Sequence, residues 1–182
     1  CARLLGVSLA DAAAALETAH GAKGRVEPVP TDGDYSIFID YAVTPDAIEN
    51  VLTTLRGIAP KRLVMLFGAG GDRDRKKRPI MGKLSADIAD FVIVTSDNPR
   101  TEDPMSIIEE ILPGVRAGKA PYKVICDRPE AIRWAIDHHE PGDVILLCGK
   151  GHEDYQIIGH EKIHMDEREI VADYLAERAK RT

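Results

Sequence analysis

No stretch of this 182-residue chain approaches the roughly 20 consecutive apolar residues that a bilayer-spanning helix needs. Cys1 to Ala10 also lacks the charged-then-apolar plan of a secretory leader. Cysteine is scarce: Cys1, Cys126 and Cys148 are odd in number and scattered, with no C-x-x-C pair and no metal-ligand spacing. That excludes a disulfide framework and a cysteine zinc site. It predicts a reduced, cytoplasmic setting in which the thiols at the ends of apolar runs are buried. Cations are not in excess either. Twenty-four Lys and Arg stand against thirty Asp and Glu, for a net charge of −6, which argues against nucleic acid or an anionic membrane as the main partner. The chain has no internal repeat, no low-complexity tract and no G-x-x-x-x-G-K-[ST] loop, so a complete nucleotide site is not expected from motif.

What the chain does have is alternation. Its length suits one domain, or one domain with a remnant of a neighbour. Ala2 to His20 reads as a helix, with Leu4, Leu5, Val7, Leu9, Ala13, Leu16 and Ala19 near helical period and Ser8 available for local capping. Gly21 to Gly24 and then Pro28, Pro30, Asp32 and Gly33 read as punctuation and linker, dividing residues 1–22 from a main body at 23–182. From Tyr35 short apolar runs alternate with longer amphipathic stretches. Strands are predicted at 36–40, 63–67, 91–95, 122–125 and 144–148. Helices are predicted from Thr44 as N-cap with Pro45 in the first turn, and at 80–89, 104–112, 130–139 and 167–180, with a hairpin at 155–163. Apolar, β-branched runs between helices are what a parallel sheet covered on both faces requires. The expected fold is an open, doubly wound, Rossmann-like α/β sheet, mostly parallel, with a possible C-terminal hairpin.

In such a sheet ligands bind beyond the carboxyl ends of the strands, and three of the following segments are unusually polar. The first, Gly68-Ala69-Gly70-Gly71-Asp72-Arg73-Asp74-Arg75-Lys76-Lys77-Arg78-Pro79, offers glycines that let the backbone approach a ligand and cations for phosphate or carboxylate. It reads equally as a tight turn before a solvated basic helix start. The second, Asp97-Asn98-Pro99-Arg100, sets a carboxylate, an amide and a guanidinium on a stiffened turn, a set that suits a zwitterion. It reads also as a turn opening a helix at Pro104 with Asp103 as cap. The third, Gly149-Lys150-Gly151-His152-Glu153, fits acid–base work or plain ligand contact. His138 and His139 close a helix and are expected as dipole partners. His160 and His164 flank the hairpin and are not expected to bind metal, and Trp134 and Tyr174 are read as core.

Five ordered segments carry a resemblance: Gly24-Arg25-Val26-Glu27, Asp40-Tyr41-Ala42-Val43-Thr44-Pro45-Asp46, Gly70 to Asp74 with Lys77-Arg78-Pro79, Asp97 to Glu102, and Gly149 to Gln156. With them the chain resembles the Mur ligases over nearly its whole length, and within them the branch that adds meso-diaminopimelate. The resemblance implies that Arg100 of the D-N-P-R segment binds the distal carboxylate of diaminopimelate, which lysine lacks. It implies that Arg73, Asn98, Gly149 and Glu153 help hold the amino acid, that Asp97 shapes the pocket, and that Arg25, Asp40 and Lys76 lie toward ATP. It further implies ATP-driven acyl phosphate formation on the UDP-N-acetylmuramoyl-dipeptide, with the phosphate loop, the Mg²⁺ carboxylate and a modified lysine on a central domain of the same polypeptide. On that reading residues 1–22 are that domain's last helix, this chain carries no catalytic residue of its own, binds no metal, and does not catalyse ligation alone. Where the family usually has histidine, this sequence has Val43, which offers a base apolar contact but no ring nitrogen.

Overall fold

The computed structural model describes residues 1–19, 21–59 and 61–181. Six strands form one sheet in the order β1-β2-β6-β3-β4-β5: β1 (Glu27–Val29), β2 (Tyr35–Asp40), β3 (Leu63–Phe67), β4 (Phe91–Val94), β5 (Tyr122–Val124) and β6 (Asp143–Cys148). All neighbours are parallel except β1, which runs antiparallel to β2. The central strands β3 and β6 are buried along their whole length. Their alternate side chains feed two cores, as the pleat dictates. Leu63, Met65 and Phe67 pack beneath α2 (Pro45–Arg56), α3 (Lys77–Ile88) and α4 (Pro104–Ala117), whereas Val64 and Leu66 pack against α5 (Arg128–Asp137) and α6 (Glu167–Ala179). The hairpin of β7 (Tyr155–Ile158) and β8 (Glu161–His164) follows β6. The expected doubly wound architecture is therefore present.

Four departures have physical causes. The expected N-terminal helix is broken: Ala2–Leu5 forms a 3-10 turn that ends at Gly6 with φ 85°, and Ser8 caps a separate helix, α1 (Leu9–Glu17), by accepting from the Asp11 N–H. The expected end of that helix, His20, lies outside the described residues. The expected linker contains β1, in which Pro28 is tolerated because β1 is an edge strand and needs no donor on its outer side. The helix expected from Ile80 begins at Lys77, with Pro79 in the first turn, where a missing N–H costs nothing. The helix expected to stop at Leu112 runs through Pro113 to Ala117. There α3 and α4 approach closely: a β-carbon at Gly114 would stand 1.8 Å from the Pro79 carbonyl oxygen, and one at Gly82 2.5 Å from that of Ile111. This packing outweighs the broken hydrogen bond.

Candidate functional site

The parallel strands deliver four loops to one edge of the sheet, and between them lies a small open cleft. Tyr41 and Val43 come from the loop after β2, Gly68, Ala69, Gly70 and Arg73 from that after β3, and Lys77 and Met81 from α3. Asp97, Asn98 and Arg100 come from the loop after β4, and Gly149 and Glu153 from that after β6. Every residue expected around the amino acid, Arg73, Asp97, Asn98, Arg100, Gly149 and Glu153, thus lines this single cleft.

Arg100 sits at φ 52°, a left-handed conformation unfavourable for a long side chain. Two backbone hydrogen bonds to the hairpin hold it there, from Arg100 N–H to Ile157 O at 3.0 Å and from Gly159 N–H to Arg100 O at 2.7 Å. Its Nη1 donates to Gly71 O at 2.9 Å, while Nε and Nη2 have no partner among the described residues. One whole edge of the guanidinium is left for a planar acceptor such as a carboxylate. Gly71 allows this approach, since a β-carbon there would stand 1.8 Å from Pro99 O. Arg73 is exposed and donates only to the Asp72 carbonyl.

The acceptors are arranged as deliberately. Asp97 Oδ1 accepts from the Asn98 N–H at 2.6 Å, and Gly149, at φ 113°, passes so near that a β-carbon would lie 2.6 Å from Asp97 Oδ2. Glu153 Oε2 accepts from Lys150 Nζ at 2.8 Å and Asn98 Nδ2 at 2.9 Å, leaving Oε1 with a long contact of 3.4 Å from the Tyr155 hydroxyl. Burial pushes the Glu153 carboxyl up, but the hydrogen bonds from Lys150 and Asn98 outweigh it and hold it below its ordinary value. Gln156 Nε2 donates to Asp97 O at 2.5 Å and Ser96 Oγ at 2.9 Å.

The other sequence candidates have other tasks. Arg78 is fully buried and donates to Glu102, Glu110 and the Gly70 carbonyl, so it is not available for an anion, and the exposed Arg75 pairs with Glu110. The Arg78 hydrogen bonds hold the Glu102 carboxyl down to about 2. Arg25, Asp40 and Lys76 do not line the cleft. Asp40 is buried and accepts from the Val26 N–H at 2.9 Å, Lys76 is exposed at the start of α3, and Arg25 lies over the Tyr41 ring, which also meets His152. Lys77, rather than Lys76, reaches the cleft, donating to Val43 O at 2.9 Å. His138 and His139 do turn Nδ1 to the carbonyls of Trp134 and Ile136 near the end of α5. Arg128, not singled out in the sequence, is fully buried; it donates to Ser96 O, Cys148 O and Glu167, tying together the strand ends that carry Asp97 and Gly149.

Residues 24–151 match the family model described as Mur ligase, glutamate ligase domain. The chain belongs to the Mur ligase family. It is 54% identical over 87% of its length to the UDP-N-acetylmuramoyl-L-alanyl-D-glutamate--2,6-diaminopimelate ligase of Caldanaerobacter subterraneus subsp. tengcongensis. It is 52% identical over 97% of its length to the ligase of the same name from Trichormus variabilis. A solved structure of a ligase of that name superposes with a TM-score of 0.81 at 37% identity, covering 98% of this chain and 36% of that one. The chain spans about a third of the length of the curated relatives it matches, 33% and 36%. Within this Mur ligase domain no helix among the described residues is long and apolar enough to cross a membrane, and no cluster of three or more His, Cys, Asp or Glu among them could hold a metal ion.

Proposed function

We propose that this chain is the amino-acid-binding domain of a cytoplasmic, ATP-dependent ligase that adds meso-diaminopimelate to UDP-N-acetylmuramoyl-L-alanyl-D-glutamate in peptidoglycan synthesis. Residues 23–182 are the binding domain, and residues 1–22, none of whose described members is buried, belong to the neighbouring ATPase domain. The observation that carries this reading is the pairing of unspent donors and acceptors in one cleft. Arg100, with its free guanidinium edge, and Arg73 line the same cleft as Glu153 and Asp97, whose Oε1 and Oδ2 accept no close hydrogen bond from the described residues. A ligand with an ammonium and a carboxylate at each end satisfies both sets, whereas lysine leaves a cation without its anion.

In this reading Arg100 takes the distal carboxylate through two parallel hydrogen bonds, Glu153 and Asp97 take an ammonium, and Asn98 turns an amide hydrogen to the ligand. The fixed geometry presents the reacting amine to the activated substrate, so the chain contributes positioning rather than proton transfer. ATP supplies activation of the acceptor carboxylate, and Arg25 on Tyr41 is the contact this domain offers toward it.

Calorimetric titration of the chain with meso-diaminopimelate and with L-lysine, repeated with Arg100→Ala, tests the reading. Binding of the first alone, weakened at least roughly tenfold in the variant, is expected for a charge-assisted pair. Equal binding of both amino acids would sink it.

A further inference from the structure

Lys150 has no exposed surface at all, yet it is charged and stands directly behind the cleft. A buried ammonium must be fully partnered, because leaving water unpaired costs several kcal/mol by order of magnitude. Its partners are informative. Nζ donates to Asn98 Oδ1 at 2.8 Å and to Glu153 Oε2 at 2.8 Å, and lies 5.3 Å from the centroid of the Tyr155 ring. Asn98 Oδ1 accepts a second bond from the Ile157 N–H at 2.9 Å. With both donors on its oxygen, the amide can face only one way, nitrogen toward Glu153, with one N–H left over for a ligand.

We propose that Lys150 is the positioning residue of the cleft: it fixes the amide of Asn98 and keeps Glu153 ionised and pinned through Oε2, so that Oε1 stands ready for a ligand ammonium. This deepens the amino-acid-binding reading above and rests on it for the ligand. The lysine itself makes no ligand contact. Its neutral counterpart of similar length, methionine, would leave the Asn98 oxygen held by Ile157 alone and the half-buried Glu153 without its cation.

Glu153 is also hydrogen-bonded by Asn98 and, at longer range, by the Tyr155 hydroxyl on the hairpin, and the other charged or titratable groups lining the same cleft are Tyr41, Arg73, Lys77, Asp97 and Arg100. None of these groups is removed by Lys150→Met, so a change in the titration of Glu153 reports on the lost cation and on the order it gives Asn98. The sign is fixed by linkage. Glu153 is held below its ordinary value in the native protein, and removing Lys150 raises it, so the variant loses the acceptor as pH falls.

The test is carried out on the full chain. Carbon-13 titration of the Glu153 carboxyl, without ligand, is expected to move upward in Lys150→Met; an unchanged titration overturns the proposal. Affinity for meso-diaminopimelate is expected to fall roughly tenfold or more in the variant, and to fall further at about pH 6 than at about pH 8.5. A loss equal at both pH values would make Lys150 merely structural. If the native chain does not bind diaminopimelate, the ligand assignment fails, and the carboxyl titration still decides what Lys150 does. Should Lys150→Met not fold, Lys150→Gln carries the same two readouts.

Discussion

At Gly71 a single methyl group decides whether Arg100 can reach its seat. A β-carbon there would stand 1.8 Å from Pro99 O, and Gly71 O is the acceptor of Arg100 Nη1. Gly71→Ala is therefore expected to cost about 1–3 kcal/mol of stability and to weaken amino-acid binding alongside. Denaturant unfolding and calorimetry read the two effects, and native behaviour in both would refute the role. The Arg128–Glu167 pair is a second such point, with both side chains fully buried. Glu167→Ala leaves an uncompensated guanidinium between two strand ends and should cost about 3–5 kcal/mol, measurable as a shift in the urea midpoint; a loss under about 1 kcal/mol would mean that the pair is solvated. Neither Arg128 nor the burial of Lys150 was legible in the sequence. The charge of a residue is written there, but partners that bury it lie far along the chain: although Glu153 is three positions from Lys150, Asn98 is 52 away, and Glu167 is 39 from Arg128. Arg78 shows the converse. Its place in a basic run suggested a free cation, and only the fold reveals Glu102 and Glu110 beside it.

Among the elements, the hairpin does more than extend the chain. Ile157 and Gly159 bond the backbone of Arg100, and Gln156 bonds Ser96 and Asp97, so β7 acts as a template for the loop after β4. Gln156→Ala is expected to reduce stability by about 1 kcal/mol while weakening diaminopimelate binding by more than that loss alone implies. Titration against the same variant's melting curve separates the two. The five parallel strands could be located from sequence because apolar, β-branched runs have no other use between amphipathic helices. β1 could not, since three residues centred on Pro28 carry no period, and the free edge of β2 alone makes them a strand. The passage of α4 through Pro113 was hidden for a like reason: the glycines that let α3 and α4 touch act across helices, not along one. The cleft itself was more legible than its support, because its residues follow directly on strand ends that a parallel sheet gathers at one edge.

For the molecule as a whole, acid should act first through carboxylates paired to buried or half-buried arginines. Glu27, hydrogen-bonded by Arg168, and Glu102, hydrogen-bonded by Arg78, are both lowered from 4.5 to about 2. Unfolding restores the higher value, so their stabilisation is complete above about 4.5 and is lost as pH falls from there toward 2. Urea midpoints measured at stepped pH should be level near neutrality and decline through that window, and a flat profile would contradict both pairings. Glu27 also ties the two ends of the fold together, since Arg168 belongs to α6 and bonds Gly151 O as well. The strand order carries a consequence of another kind. β2 and β3 follow each other in the chain but are not neighbours, and the place between them is filled by β6. About a hundred residues separate the synthesis of β2 from that of β6, roughly 5–20 s on a ribosome. During that interval the nascent chain holds a sheet with its middle missing, and the cleft cannot close around any amino acid until the last large strand slides into the gap.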